Sequence, residues 1–391
     1  MNAMRGHYIL GYAILGATGP YLPQFFRSAR GLDDQSIGWV LAVSQLPVFF
    51  SPILLTYLAD RHVSPRLLAF ATCGLSMLAL AALAAWESLG GVMLASAAYS
   101  FSVAALLPSM DGLCFAWSRR RQGEGLSTPP YHHFRMLGTV GYVIPAIVLL
   151  FLLHEGADLT WVIYTSLAFA LLAACNTLRL PEARGPDRLK PAGKHPWLDA
   201  LRVLFSRRWI WLSASFALLQ VGSSCYYAVF PVHLTHNLGL SPRWLGLISS
   251  LGVAVEVPLI FGLGWLTARF GLRRVVIFGA VASMLRLGTL TLAPDATTAI
   301  ATQLLHGMVV VGTLIAPVVF VNQLAGDSFR NSMQGVLAVA VTGPCKFLAP
   351  LVNGWLAQHD ARWAFAFGSG LAGVAALLVW RLVPDAPEQT S

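Results

Sequence analysis

Charged residues are scarce in this sequence. Asp, Glu, Lys and Arg make up only 11% of the 391 residues, whereas 56% are hydrophobic. Soluble globular domains carry about 25% charged residues, so this composition excludes an ordinary water-soluble protein. Apolar stretches of twenty or more residues recur along the chain, and each is long enough to cross a bilayer as a helix. The sequence therefore predicts an integral membrane protein.

Several kinds of site are also missing. The five cysteines lie in apolar stretches without CxxC or metal-ligand spacing, which indicates neither a disulfide framework nor a metal site. No Walker motif or glycine-rich phosphate loop is present, which argues against ATP-driven transport. His132 and His133 are adjacent, but they follow the loop sequence Ser-Thr-Pro-Pro and are predicted to be solvated. We expect no metal, no cofactor and no enzymatic activity.

The apolar stretches predict an all-α protein with twelve transmembrane helices. The predicted spans are 8–28, 36–59, 67–86, 90–116, 134–154, 159–179, 209–232, 242–268, 274–293, 297–322, 331–357 and 362–382. The first stretch is too long for the hydrophobic part of a signal peptide and lacks a small-residue cleavage site, so we expect it to remain in the membrane.

The basic residues lie mainly on one side of the predicted membrane. The formal net charge is +9, and 19 of the 26 Lys and Arg residues fall in the termini and in one alternating set of loops. This asymmetry follows the positive-inside rule and predicts two cytoplasmic termini in a bacterial-type inner membrane. It explains the basic excess through topology, so we expect membrane lipid and no nucleic acid as a partner.

The two halves of the chain resemble one another. Residues 1–180 and 209–391 each hold six predicted spans, and the polar segment 181–208, rich in Pro, Gly and basic residues, separates them as a cytoplasmic linker. A gapless shift of 208 residues aligns Pro23 with Pro231, Gly31 with Gly239, Arg61 with Arg269, and Arg66 with Arg274. Two parallel six-helix halves with a site between them at the bilayer midplane are typical of a secondary transporter.

The loop after the second span resembles that of a known superfamily. Its sequence "LADRHVSPR", with the weaker copy "LTARFGLRR" after the eighth span, is similar to the gating loop of the major facilitator superfamily. The resemblance implies that Asp60, Arg61 and Arg66, with Arg269 in the second copy, hold one closed state. Ser64 replaces the usual glycine, and Ala268 replaces the acid of the second copy. Alternatively, these arginines only anchor the loop to lipid phosphate.

Six ionisable residues interrupt the apolar spans. Charged groups inside a bilayer cost at least a few kcal/mol each, so each one requires an explanation. They are Asp111, Arg135, Glu256, Arg286, His306 and Lys346. At about 1.5 Å per residue, Glu256, Arg286 and His306 all reach the middle third of the bilayer on consecutive helices. We expect these three to form one polar cluster facing an aqueous cavity.

These charges resemble those of one group within the superfamily. The segment "RMLGTVGY", Arg135 to Tyr142, is similar to helix five of the proton-coupled permeases related to lactose permease and the phenylpropionate permeases. The resemblance implies that Asp111 pairs with Arg135, that Arg135 binds substrate and that Tyr142 stacks on it. It also implies a role in proton coupling for Glu256, Arg286 and His306.

Two positions depart from that group. The glutamate that serves lactose permease as its proton site, one turn after the histidine, is replaced by Val309, so we expect Glu256 or Asp111 to carry the proton. Lys346 lies about one turn out of register with a family lysine in helix eleven. It is either a substrate-binding residue or a lysine that extends toward the interface.

The balance of intramembrane charge indicates the substrate. Asp111 and Glu256 oppose three fixed cations, and an unpaired buried cation is costly, so a substrate anion would complete the balance. Five tyrosines would suit an aromatic ring: Tyr12, Tyr21, Tyr142, Tyr226 and Tyr227. The sequence thus predicts a monomeric, proton-driven importer of a small organic anion, with an aromatic carboxylate such as phenylpropionate favoured. Open alternatives are symport of a sugar, nucleoside or siderophore, an efflux antiporter, and a transport-inactive receptor.

Overall fold

The computed structural model of the chain consists of helices joined by short loops. It describes residues 2–61, 63–129, 131–154, 156–180, 196–292, 295–325 and 330–384; of residues 52–61, 65, 116, 119, 132, 196, 325 and 330–332 it describes only the helical backbone. Across these ranges the secondary structure is helical, without strands, and its helices account for all twelve predicted spans. The predicted all-α, twelve-helix architecture is confirmed.

Seven helices form the first six spans. They are α1 (Asn2–Thr18), α2 (Leu22–Ser28), α3 (Asp34–Arg61), α4 (Pro65–Ala85), α5 (Leu89–Gly123), α6 (Tyr131–Leu152) and α7 (Thr160–Thr177). The first span is divided between α1 and α2 because Pro20 has no N–H to continue the ladder of α1, while Pro23 sits in the first turn of α2, where no donor is needed.

The remaining spans are more broken. Their α-helices are α8 (Pro196–Leu204), α9 (Ile210–Val232), α10 (Leu245–Phe261), α11 (Leu263–Phe270), α12 (Leu272–Leu292), α13 (Ala296–Ala301), α14 (His306–Val310), α15 (Ala316–Ala325), α16 (Arg330–Val336), α17 (Gly343–His359) and α18 (Ala361–Leu382). Short 3₁₀ segments cover Pro242–Trp244 and Thr302–Leu305, and π-helical segments cover His233–Asn237, Val311–Ile315 and Leu337–Thr342. The helix predicted at 242–268 is therefore divided at Gly262, whereas the helices predicted at 297–322 and 331–357 continue through their 3₁₀ and π-helical stretches.

Nine helices within the described ranges are long and apolar enough to cross a membrane by length and composition. The chain folds as two compact units. Met1–Leu189 with Ser241–Ser250 form the first unit, and Lys190–Leu240 with Leu251–Ser391 form the second. The boundaries of the predicted linker stay a prediction, because residues 181–195 lie outside the described ranges; α8 occupies its second part.

The internal repeat is visible in one turn that occurs twice. Gly31 and Gly239, which the shift of 208 residues aligns, both have a left-handed backbone, with φ of 64° and 67°. The residue after each glycine donates its N–H to the carbonyl six positions earlier, from Leu32 to Phe26 and from Leu240 to Leu234, both at 3.0 Å. Glycine adopts this conformation without the steric cost that a Cβ brings. The repeat therefore extends to backbone geometry.

Glycines bring α1 and α6 into close contact in the first unit. A Cβ on Gly16 would collide with the backbone of Tyr142, and one on Gly141 would collide with the carbonyl of Ile9. Small residues at such crossings allow transmembrane helices to pack at short range. The crossing places the polar residues of α1 beside those of α6.

Candidate functional site

Arg286 is the centre of a polar cluster in the second unit. It lies on α12, is only 2% exposed, and donates from Nη1 to Nδ1 of His306 and from Nη2 to Oε1 of Gln303, both at 2.9 Å. Its guanidinium carbon lies 3.6 Å from the centre of the Tyr226 ring, within the range of a cation–π interaction. A buried cation is thus held by two hydrogen bonds and an aromatic face.

Glu256 joins the cluster through His306. One carboxylate oxygen, Oε2, lies 3.7 Å from Nε2 of the ring, which is ion-pair distance but too long for a good hydrogen bond. A guanidinium has no lone pair to accept a hydrogen bond, so Nδ1 of His306 must be the acceptor toward Arg286. The ring proton of a neutral His306 then sits on Nε2 and faces Glu256. The structure brings together the three residues that the sequence predicted at one depth.

Gln303 is a member of the cluster that the sequence analysis missed. Its Oε1 accepts from both Arg286 and the hydroxyl of Tyr226, the latter at 3.0 Å. It lies three residues before His306, and residues at that spacing share one helical face. The spacing was the available signal, but a neutral amide in an apolar span does not stand out in the way a charge does.

Two glycines allow the cluster to pack closely. A Cβ on Gly252 of α10 would meet Oε1 of Gln303 at 2.9 Å and the His306 ring at 3.0 Å. A Cβ on Gly307 would meet the α-carbon of Glu256 at 2.9 Å. Larger residues at either position would push α10 away from α14 and separate Glu256 from His306.

A small recess adjoins Arg286. Its volume is about 10 Å³, and its polar lining includes Ser223, Ser283, Thr313 and Tyr226. Val309, the residue at the position of the family glutamate, also lines it. Arg286 Nε, Ser223 Oγ and Gln303 Nε2 are buried and have no hydrogen-bond partner in the structure.

The first unit holds a second cluster, in which Asp111 is bound by a tyrosine. The hydroxyl of the buried Tyr8 donates to Oδ1 of Asp111 at 2.6 Å, linking α1 to α5. Arg135 of α6 lies instead over the ring of Tyr12, with its guanidinium carbon 4.6 Å from the ring centre. Among the ion pairs of the described residues, none joins Asp111 to Arg135, so the pairing implied by the resemblance is not formed in this conformation.

Tyr142 and Tyr21 contact the start of the eighth span within the first unit. The Tyr142 and Ser249 hydroxyl oxygens are 3.3 Å apart. Tyr21 accepts from the backbone N–H of Gly246 at 3.1 Å. Tyr142 therefore has a polar partner of its own in this conformation, and the predicted stacking on substrate stays a prediction.

The predicted gating residues are only partly visible. The side chains of Asp60 and Arg61 lie outside the described residues, and Arg269 is exposed on α11. Arg66 donates from Nη2 to the carbonyl of Leu178 at 2.6 Å, next to the C-terminal end of α7.

The second unit has a matching contact one residue out of the predicted register. Arg273 donates to the carbonyls of Val379 and Trp380 near the end of α18. Basic groups stabilise helix C-termini. Arg66 thus links α4 to the end of α7, and Arg273 links the equivalent helices of the second repeat, α12 and α18.

Lys346 stands apart from both clusters. It lies on α17, is partly buried, and forms no ion pair with an acid of the described segments. Neither of its predicted roles, substrate binding or extension to the interface, is decided by this geometry. In the same described segments no group of three or more His, Cys, Asp or Glu residues could hold a metal ion.

Comparison with known proteins identifies relatives over most of the chain. The family model described as "MFS_1 like family" matches residues 1–367. The xanthosine permease of Escherichia coli K12 is 24% identical over 368 residues, which cover 90% of this chain and 86% of the permease. The probable 3-phenylpropionic acid transporter of the same organism is 26% identical over 361 residues, 86% of either chain.

A solved structure matches the fold. The crystal structure of a point mutant of the nucleoside transporter NupG superimposes with a TM-score of 0.88 and covers 98% of this chain and 99% of that chain, at 18% identity. At this identity the match establishes a common fold and carries no substrate with it.

Proposed function

Because the chain belongs to the MFS_1-like family of the major facilitator superfamily, whose members are multi-pass membrane transporters, we propose that it imports a small organic anion together with protons by alternating access. An aromatic carboxylate such as phenylpropionate is the favoured substrate. The proposal places the protein in a bacterial-type inner membrane as a monomer, with both termini in the cytoplasm and the proton gradient as its energy source.

The proposal rests mainly on the buried positive charge of Arg286, which has no carboxylate beside it among the described residues. Its side chain is buried, yet the groups bound to it, His306, Gln303 and Tyr226, carry no carboxylate. No acid lies at ion-pair distance from its guanidinium in the part of the chain that the structure describes. A buried cation without a counter-charge is costly, and a substrate anion removes that cost when it binds.

Arg135 supports the same substrate class from the first unit. Its guanidinium rests on the Tyr12 ring and not on Asp111, so its charge is also uncompensated by a carboxylate of the described residues. An aromatic ring beside an arginine favours a ligand that has both a negative group and an apolar ring. Each unit thus offers one arginine and one tyrosine ring to the same type of ligand.

Proton coupling is proposed to run through Glu256 and His306. Protonation of Glu256 removes the negative charge opposite Nε2 of His306, whose other nitrogen holds Arg286. The orientation of Arg286 then depends on the protonation state of Glu256, although no ion pair among the described residues joins the two directly. The histidine mediates between the acid and the arginine.

A second candidate is proton-coupled symport of a nucleoside. A relative of this chain is a xanthosine permease, and a nucleoside transporter shares its fold. The amide of Gln303 and the hydroxyl of Tyr226 offer neutral polar contacts of the kind that a nucleoside uses. A nucleoside would leave Arg286 without a counter-charge, so the organic anion ranks first.

Uptake of labelled substrates into proteoliposomes tests the proposal. With an inward proton gradient we expect aromatic carboxylates to enter faster than into protein-free vesicles, where only undissociated acid crosses, and their neutral amides to enter at the protein-free rate. Arg286→Ala and Arg135→Ala should each reduce this uptake at least about tenfold, as expected for the loss of a charge-assisted contact. Arg120→Ala, which removes an exposed arginine paired with Glu124, is the matched control and should transport normally. Accumulation of nucleosides but not of carboxylates would contradict the first candidate and support the second.

A further inference from the structure

The recess beside Arg286 is lined by two residues that each have a hydrogen-bonding atom without a partner in the protein. Arg286 and Ser223 both line it, and both are more than nine-tenths buried, at 2% and 6% exposure. Nε of Arg286 and Oγ of Ser223 have no partner in the structure. Buried polar groups without partners are rare and costly in native proteins. Two of them on one recess indicate a ligand atom that accepts from both.

Two of the five N–H donors of Arg286 are committed within the cluster. Nη1 donates to His306 and Nη2 donates to Gln303, whereas Nε has no partner in the structure and remains for a ligand. The Tyr226 ring covers one face of the group at 3.6 Å, which directs any further partner into the guanidinium plane. A guanidinium binds carboxylate oxygens in this plane.

The size of the recess restricts the ligand. A volume of about 10 Å³ admits a single group the size of a water molecule. One oxygen of a carboxylate fits, whereas a ring does not. Tyr227 and Leu314 also line the recess and are 52% and 37% exposed, so one side of the recess is bounded by accessible side chains. The rest of the ligand would then lie against the Tyr227 ring and the Leu314 side chain.

We propose that this recess is the subsite for one carboxylate oxygen of the transported acid, which accepts hydrogen bonds from Nε of Arg286 and Oγ of Ser223. The inference rests on the proposed function and extends it. It assigns Ser223 as a substrate-binding residue and requires the substrate to have an anionic oxygen at one end and an apolar group next to it. A neutral amide of the same shape gains less from this subsite, because a charged acceptor forms the stronger bonds.

The test is the binding of 3-phenylpropionate, benzoate and their neutral amides to the purified protein in nanodiscs, measured by ligand-dependent thermal stabilisation. The wild type should bind an acid more tightly than its amide. Ser223→Ala should weaken binding of the acid about tenfold and that of the amide much less. Ser223→Asp, which places a fixed carboxylate in the recess, should abolish the preference for the acid. Ser215→Ala is the control, since this buried serine of the same helix bonds to the Trp211 carbonyl.

The outcomes distinguish a failure of the subsite from a failure of the proposed function. Acid binding that is the same in wild type, Ser223→Ala and Ser223→Asp overturns the subsite and leaves the proposed function intact. A wild type that binds none of the carboxylates overturns the proposed function. A selective loss of acid affinity in both Ser223 variants, with Ser215→Ala unchanged, supports the assignment.

Discussion

Arg286 and His306 share a hydrogen bond of 2.9 Å in which Nη1 of the arginine donates to Nδ1 of the ring. This bond fixes the ring proton on Nε2, 3.7 Å from the carboxylate of Glu256. In the proposed mechanism, protonation of Glu256 therefore affects Arg286 through one imidazole. The arrangement connects the proposed proton site to the proposed anion site.

Glu256→Gln should separate proton coupling from substrate movement. The glutamine amide cannot take up a proton. A proton gradient should therefore no longer drive accumulation, and substrate uptake should stop when the substrate concentrations inside and outside are equal. Exchange of internal for external substrate does not require net proton movement and should continue at near wild-type rates. Both are measured in proteoliposomes with labelled substrate; accumulation by this variant at wild-type levels would exclude Glu256 as the proton site.

Gln303 should stabilise the fold through its hydrogen bonds, and its lack of charge should matter for transport. Gln303→Ala removes hydrogen bonds to Arg286 and Tyr226, and we expect a loss of about 2 kcal/mol of stability, since bonds to charged groups are worth roughly 1.5–3 kcal/mol. Gln303→Glu should keep the fold but supply Arg286 with an internal counter-charge, which competes with substrate and reduces uptake.

Thermal unfolding and uptake of the two Gln303 variants check these effects. Gln334→Ala is the matched control, because it removes one neutral bond to Asn322 and neither residue belongs to this cluster. If Gln303→Glu transports like the wild type, Arg286 does not bind the substrate anion.

Tyr8 and Asp111 should act as one unit. The 2.6 Å bond between them links α1 and α5, and its loss leaves a partly buried carboxylate with one donor fewer. We expect Tyr8→Phe and Asp111→Asn to reduce uptake by similar factors, and the double variant to be little worse than either single one. Tyr164→Phe, at a half-exposed tyrosine of α7, is the control. Additive losses in the double variant would show that the bond is not the source of either effect.

The number of helices was predictable because the hydrophobic length of a span depends only on bilayer thickness. Breaks inside the spans were harder to predict from the sequence. The division of the eighth span at Gly262 follows Pro258 by one turn, but prolines also occur within intact helices here, such as Pro108 in α5 and Pro145 in α6. The effect of a proline depends on whether neighbouring helices satisfy the freed carbonyl.

The charged residues of the site were predictable from the sequence, but the neutral Gln303 and the pairs that the side chains form were not. Depth along each helix placed Glu256, Arg286 and His306 at one level, and the structure brings them together. Which side chains touch depends also on the rotation of each helix about its axis, which hydropathy does not determine in a helix that is apolar all round. Tyr8 therefore emerged as the partner of Asp111, where the resemblance implied Arg135.

The repeated turn gives a prediction about stability. Gly31→Ala and Gly239→Ala each place a side chain in a left-handed backbone, with an expected cost of about 1 kcal/mol each. Gly74→Ala, inside α4 with open space around its Cβ position, should retain or raise stability because alanine favours helices. Thermal unfolding in detergent compares the three; a loss at Gly74 as large as at Gly31 would contradict the conformational explanation.

The most direct test of the account is substrate-driven proton entry into proteoliposomes, followed with a pH-sensitive dye trapped inside. Addition of an aromatic carboxylate should acidify the interior of vesicles that contain the wild type faster than that of protein-free vesicles, where only undissociated acid enters, while its neutral amide should give no such protein-dependent signal. Arg286→Ala and Glu256→Gln should both abolish the signal, and Arg120→Ala should retain it. Acidification that persists in both cluster variants, or that the amide produces equally well, would contradict proton-coupled transport of an organic anion through Arg286, His306 and Glu256.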